Sequence, residues 1–552
     1  MKFALSLLLG GVVTVALSGC SGISDCGEDA AKCASMLNGE PEKCAQAFML
    51  QQGEPKRKYC ENAIKAVAKA KATAAVPGLT SILKTPDSSA PYDTHRQEAA
   101  KALAAIGDKS AVDALVSSLD PAAGTSADQK DKNQNRSNEE IAEALGELGD
   151  QKACGKLVEA MKSRHDYTVL KSVRSIGRLK CKDAVPAVAE MALKHDNKFM
   201  RKNAIVALGD IGDVAGTDAL IQMMFVELTG VSFYPEASFA LFQVGPGVSQ
   251  ALLDLMAGKN DAVNKYFEKS GGIKDTAIKA KAGFVLGDLR DPRAVDPLIE
   301  AFKGAAKAND PVVLIYSAAP LAALGDKRAV PVLKEQMMTV DASQRDPIMR
   351  SLVQLGDRTL APDMIKAMTL ADAVERCQKQ FGESKETCEG DDTKAALFAA
   401  QKAAADHASN LAGAEHADAY AKVVADEKDP SIKAYFTERQ SRVQAAVECK
   451  VDAQCWVKKL TDKDKFVREK AAWELSWLKD PGTIDALASS LGDKDNYVRS
   501  AVIAAYWTYG TPKAVPLIQK QLKDDEGQAT YIKVNQDLKR LLVALERGPA
   551  AG

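Results

Sequence analysis

Apolar residues along this chain recur at three- and four-residue steps in short bursts, the pattern of amphipathic helices. The bursts are punctuated by one decamer. LGDKRAVPVL at Leu324 returns as IGDKSAVDAL at Ile106, IGDVAGTDAL at Ile211, LRDPRAVDPL at Leu289 and LKDPGTIDAL at Leu478. Frames aligned on it begin at Ala70, Ile106, Leu148, Leu179, Ile211, Val244, Leu289, Leu324, Leu355, Leu411, Val447, Leu478 and Tyr509; those at Ala70, Val244, Leu411 and Val447 are degenerate. The tightest spacing is about 31 residues, as from Leu148 to Leu179, a period of stacked supersecondary units.

The decamer predicts a turn between two helices. Its first residue closes a helix, and Gly107, Gly149, Gly212, Gly325 and Gly356 follow, where a helix end takes left-handed backbone. Asp108, Asp150, Asp213, Asp326 and Asp357 come next and suit the positive end of the following helix. Pro77, Pro186, Pro331, Pro362 and Pro516 fall in its first turn, where a missing amide hydrogen costs nothing. A second element opens the other helix: DKFVREKAAWEL from Asp464, DNYVRSAVIAAY from Asp495 and NKFMRKNAIVAL from Asn197. Each unit is therefore a helical hairpin with an apolar seam that only a neighbouring hairpin can cover.

The combination G-D-x-x-A-V-x-x-L with D-x-x-V-R resembles HEAT repeats, and among them the short HEAT-like repeats named after phycobilisome lyases. The resemblance covers Ala70 to near the C-terminus. It implies an all-α fold, a right-handed α-solenoid of about thirteen helical hairpins, with the D-x-x-V-R helix on the concave side. Consensus residues mark 70–364. They thin out over 365–446, which stays Ala-rich and helical, and return over 447–552 with a C-terminal cap. Pro121 to Asn138 and Gly258 to Thr276 are polar insertions and predict loops.

The first residues add an address. Lys2 precedes an apolar run, Phe3 to Leu17, too short to span a bilayer, and LSGC follows at Leu17 to Cys20. This resembles the lipobox of bacterial lipoproteins. The resemblance implies a signal peptide over 1–19, lipidation of Cys20, and firm anchoring by several acyl chains. Ser21, by analogy with enteric bacteria, favours the outer membrane. The remaining ten of eleven cysteines are an even set that suits disulfides in an exported chain. Cys449 and Cys455 straddle one turn, Cys377 and Cys388 bracket a polar insertion, and Cys154 and Cys181 occupy the turns of adjacent repeats, so these three pairs are expected. In a Cys-rich helical cap over 20–69, Cys33–Cys44 with Cys26–Cys60 is the favoured pairing of three possible. No C-x-x-C and no nearby histidine support a metal site there.

Chemistry is sparse. Lys plus Arg number 73 and Asp plus Glu 74, so no strong field favours nucleic acid. His95, His165, His195, His407 and His416 are scattered, and no phosphate loop, nucleophile elbow or dinucleotide fingerprint occurs. No catalytic residue and no cofactor is expected. All four tryptophans lie between Trp456 and Trp507. Trp473 and Trp477 share a helix face whose equivalents elsewhere, such as Arg174 and Arg178, are mostly polar. Two readings stay open. In one, Trp473, Trp477, Arg468 and Tyr506 form part of a partner groove. In the other, a C-terminal segment, Tyr531 to Leu545, covers the tryptophans. The favoured function is a non-enzymatic, lipid-anchored scaffold or adaptor that binds another envelope protein or peptide along the concave surface. The alternatives are an enzyme subunit or lyase-like chaperone acting on a protein-bound cofactor, by fold analogy alone, and a structural envelope protein with no discrete partner.

Overall fold

The computed structural model describes residues 23–269, 273, 275–308, 311–340 and 342–547. The expected leader and Cys20 lie outside the described residues. Helices make up most of the described chain, and they alternate in the hairpin order that the decamer predicts. Two compact units form, one ending at Ile211 and one spanning Gly212 to the C-terminus.

Each decamer is built as its residues demand. Gly107, Gly149, Gly325 and Gly356 take φ of 80°, 70°, 70° and 66°. Where glycine is missing, Lys180, Arg290 and Lys479 adopt the same left-handed region at a cost of about 1 kcal/mol each. The aspartate does not cap the next α-helix directly. It caps a single 3₁₀ turn, as Asp108 does by accepting from Ser110 N at 2.9 Å, and the α-helix starts one turn later. That added turn is absent from the sequence-based expectation, because its three residues carry no signal of their own.

In the first unit the inner helices His95–Ile106, Gln129–Leu148, Asp166–Leu179 and Lys198–Ile211 stack side by side. Glycine permits the close approach. A Cβ at Gly146 would lie 2.9 Å from Ser175 Cα, and one at Gly177 3.1 Å from Ala207 Cα. Part of the Pro121–Asn138 insertion is helix, since Gln129–Leu148 begins inside it. Its asparagines explain why. Asn133 donates to the Ser88 and Ala90 carbonyls, Asn135 to Gly124 and Asn138 to Asp120, so the polar residues bind neighbouring loops and are buried. Part of the second insertion is likewise a helix, Asp261–Lys269. A two-residue hairpin, Glu227–Leu228 with Val231–Ser232, also escaped the helical pattern. Its turn residues Thr229 and Gly230 both have positive φ, as this tight turn requires.

The N-terminal cap corrects the expected pairing. Cys26 bonds Cys33, and Cys44 bonds Cys60, with Cα separations of 5.2 and 5.6 Å. Cys33 sits in the first turn of helix Ala30–Gly39, and a helical side chain leans toward the N-terminus, back to the entering chain at Cys26. Cys44 and Cys60 face each other from helices Pro41–Ala47 and Pro55–Lys69. The structure also joins Cys154–Cys181, Cys377–Cys388 and Cys449–Cys455. The first clips two successive repeats through a loop of 27 residues, worth about 3–4 kcal/mol in chain entropy.

The arginine of D-x-x-V-R is a structural fastener. Arg499 is buried, donates to the Asp493 carbonyl in the loop before its own helix, and pairs at 2.6 Å with Asp525 in the next repeat. Arg468 does the same with the Asp462 carbonyl at 2.9 Å and with Asp493 at 2.6 and 3.0 Å. Arg345 reaches Asp372 at 3.3 Å. In the first unit Arg96 spans the Leu83 and Ser118 carbonyls and Asp87.

The second unit closes on itself. Its last helix, Ile532–Arg547, returns to helices Tyr234–Val244 and Asp275–Leu289. Arg547 donates to the Phe242 carbonyl, Arg540 lies 3.5 Å from Asp288, and Trp507 meets Phe242 edge-on at 6.4 Å. Burial pushes the Asp288 carboxyl up to about 6, aided by the Asp537 charge and opposed by Arg540 and Arg290.

Two outcomes follow. Arg499→Ala strands Asp525 in the interior and should cost about 3–5 kcal/mol. Adding Asp525→Ala should recover part of that loss, read as the coupling in a double-mutant cycle of urea unfolding. Asp288→Asn bears on pH. The folded carboxyl holds its proton above the unfolded one, so its contribution to wild-type stability falls as pH rises from about 4 through about 6 and levels off by about 7. Urea titrations from pH 4.5 to 7.5 should show Asp288→Asn gaining on wild type by roughly 2–3 kcal/mol across that window, and not beyond it.

Candidate binding groove

Helices Ala342–Leu355, Asp391–Leu411, Pro430–Cys449, Lys465–Leu478, Asn496–Tyr509 and Ile532–Arg547 form the inner wall of the second unit. Their side chains line a groove of about 660 Å³. At its floor the Arg439 guanidinium is sandwiched between rings, 3.3 Å from the centre of Tyr435 and 4.4 Å from that of Phe466. Asp406 accepts from Tyr435 Oη at 2.7 Å and from Arg439 Nε at 2.8 Å. Arg442 pairs with Glu469 and donates to Ser409 Oγ at 3.0 Å. His407 Nε2 lies 2.7 Å from Asp346 Oδ1.

These contacts set the charge states. Burial works against ionising Asp406, but Arg442, with the Arg439 and Tyr435 hydrogen bonds, holds its carboxyl below the usual value. The His407 contact does the same for Asp346 against a smaller burial effect. Burial and the neighbouring Asp406 push the Tyr435 phenol up, so it stays a donor. The floor is thus a set of fixed, paired charges and rings. Around the rim stand Lys402 over Tyr435, Lys465 paired with Asp495 at 3.3 Å, Lys533, and Tyr497, which is 63% exposed.

Of the residues expected to form a partner groove, one lines this site. Trp473 contributes to the wall and stacks on Trp477 with centroids 6.1 Å apart. Trp477 turns the other way. It abuts Gly356, whose Cβ would lie 2.6 Å from it, and it sits near the Arg358 and Lys470 cations. The 356–358 turn therefore covers the Trp477 ring, while Val534 of the C-terminal helix lines the groove with Trp473. Arg468 is only 7% exposed and committed to Asp493, so it is a fastener and not a groove residue. Tyr506 is wholly buried and donates to the Ile484 carbonyl at 3.0 Å. Both lie beneath the surface because D-x-x-V-R and the seam of the last repeats need them there. Beneath the tryptophans, Lys470 is fully buried, pairs with Glu474 at 2.7 Å and donates to the Ala412 carbonyl at 3.0 Å. Burial depresses its pKa.

Tyr435, Arg439, Arg442, Asp406 and His407 were not singled out from sequence. Their one signal is local. Tyr435, Arg439 and Arg442 fall at four- and three-residue steps on a single face, inside the stretch where the repeat consensus is lost.

A second polar cluster lies in the first unit. Ligand atoms of Asp87, Asp93 and His95 sit within 4.8 Å of one another. Each is already engaged. Asp87 accepts from Arg96 and Ser137, Asp93 from Ser88 and His95, and His95 Nε2 faces the Thr85 carbonyl at 2.9 Å. The cluster clasps the 85–94 loop.

Stretches 49–127, 156–225 and 454–531 match the family described as HEAT repeats, and 278–304 matches the PBS lyase HEAT-like repeat. The protein is an all-α solenoid, and these stretches of it are similar to HEAT repeats. No curated protein matches the chain. Among solved structures, Kap95p in a study of RanGDP is similar at 12% identity over 94% of this chain and 74% of that one, with a TM-score of 0.43. Importin beta crystallised with ammonium sulfate is similar at 12% identity, over 93% and 75%, with a TM-score of 0.37. Human deoxyhypusine hydroxylase in complex with glycerol is similar at 17% identity, over 58% and 98%, with a TM-score of 0.21.

Proposed function

We propose that this protein is a non-enzymatic scaffold of the bacterial cell envelope that binds a protein or peptide partner in the groove of its second unit. One observation carries the reading: an inner wall that presents half-exposed rings among side chains whose charges are already paired and held. Tyr, Trp and Arg of this kind concentrate binding energy at interfaces, because they arrive ordered and lose little freedom on contact. A groove of about 660 Å³ has the size of sites that bury a compact ligand or a short extended segment. The near balance of 73 basic and 74 acidic residues speaks against nucleic acid as the partner. The lipobox-like LSGC at Leu17–Cys20 supports a lipid anchor at Cys20, with Ser21 favouring the outer membrane. Among the described residues no helix is long and apolar enough to cross a membrane.

Photo-crosslinking from Tyr497 in intact cells, followed by affinity capture, should give a discrete envelope-protein adduct. Trp473→Ala with Lys402→Glu should reduce that adduct by roughly tenfold or more. An adduct pattern unchanged by these substitutions in a folded protein would discard the groove. Cys20→Ser should move the protein from the membrane to the soluble fraction, and globomycin should block its processing. Unchanged fractionation and processing would remove the anchor.

A further inference from the structure

The joints of the second unit are of two kinds. Between successive inner helices the contact runs along much of both helices, an apolar seam fastened by ion pairs such as Arg442–Glu469 and Arg468–Asp493. Ala471, Leu475, Ala501 and Val502 are fully buried between two of them, and a Cβ at Gly287 would lie 2.7 Å from Pro320 Cα. The joint that closes the unit differs. There Arg547 donates to the Phe242 carbonyl and stacks on the Phe242 ring at 5.2 Å. Arg540 lies beside Asp288 and over Phe284, and Arg290 lies 4.7 Å over Trp507. Helix Ile532–Arg547 meets Tyr234–Val244 and Asp275–Leu289 over a far narrower front than successive inner helices share, through guanidiniums, one carboxyl and ring faces. The Phe242 carbonyl belongs to the last turn of helix Tyr234–Val244, where carbonyls lack intrahelical partners and water substitutes readily for a guanidinium. So narrow a contact lets go more easily than a full helix–helix seam. The helix that makes it also supplies Lys533, Val534 and Asp537 to the groove. Its Val534 and Leu538 pack on the preceding repeat, so when its far end parts from Phe242 and Asp288 the helix and that end of the groove wall move together.

We propose that the second unit is a clamp that opens at this joint, with helix Ile532–Arg547 as the strap whose release admits an extended polypeptide to the groove. The proposal rests on the reading of the groove as a partner site, but opening is measurable with no partner present.

The test is a distance measurement by double electron–electron resonance on the full chain. Spin labels are introduced as noncanonical amino acids at exposed Gln250 and Lys539, so the disulfides stay untouched. A control pair sits at exposed Lys458 and Asp485. Arg540→Ala with Arg547→Ala should raise the long-distance population at the joint at least about threefold and leave the control pair unchanged. In the wild-type protein, raising salt from about 0.05 M to about 1 M should shift the same population in the same direction by a smaller amount, since the Arg540–Asp288 pair is partly buried and only partly screened. This second measurement holds even if the double variant does not fold. Distributions at the joint that respond to neither change overturn the clamp, as does equal broadening of the control pair. A responsive joint together with a groove that captures nothing overturns the groove reading and leaves the opening itself established.

Discussion

A guanidinium removed from water has to be met by acceptors on every side, and this requirement fixes how one repeat sits on the next. Arg499 and Arg468 each take a carbonyl from the loop that starts their own helix and a carboxylate from the loop one repeat further on. A repeat shifted along or rotated against its neighbour would leave one of those ions buried and unpaired, at a cost of several kcal/mol. Apolar seams alone tolerate such slippage, because burial depends on area and not on direction. The aliphatic residues supply the attraction between repeats, and the arginine ladder selects one arrangement among the many that would bury similar area.

Glycine decides how closely the inner helices approach, and closeness on one side produces curvature. Gly146 and Gly177 bring helix backbones together on the inner side of the first unit. In the second unit the curvature is carried far enough for the last helix to meet helices more than half the unit's length away in sequence. Nothing in the repeat consensus prepares a complementary apolar surface for that meeting, because the consensus provides only for nearest neighbours. The closing contact is instead assembled from arginines, carbonyls and the Phe242, Phe284 and Trp507 rings.

The sequence made the repeats visible because each depends on local chemistry: a left-handed residue, an aspartate cap, a proline in the first turn, an apolar stripe. Gly356, Asp357 and Pro362 serve these roles in order. What was not legible depends on direction or on distance. The cap cysteines were paired by nesting, whereas Cys33 leans back along its helix to Cys26. Arg468 reads as a groove residue only because it neighbours the tryptophans, whereas it pairs with Asp493 in the loop of the following repeat. Trp477 is covered by a turn 121 residues earlier in the chain, Gly356, and no pattern near either residue announces the contact.

The groove follows the same division. Its floor pairs Asp346 with His407, 61 residues apart, and Asp406 with Arg439, 33 apart. Neither pair is visible in a sequence until the curvature that joins them is known. The stretch that supplies most of these residues, 365–446, is also where consensus residues thin out. The two facts have one cause. Stacking requires specific residues at the turn and seam, but the inner face of a repeat is bound only by its own solubility. Along the groove, long helices such as Asp391–Leu411 and Pro430–Cys449 replace the short standard ones, and the Cys377–Cys388 and Cys449–Cys455 bonds fall on either side of them. Covalent staples thus flank the segment in which the repeat's own turn chemistry is weakest, so the departure from consensus that creates the groove does not also loosen it.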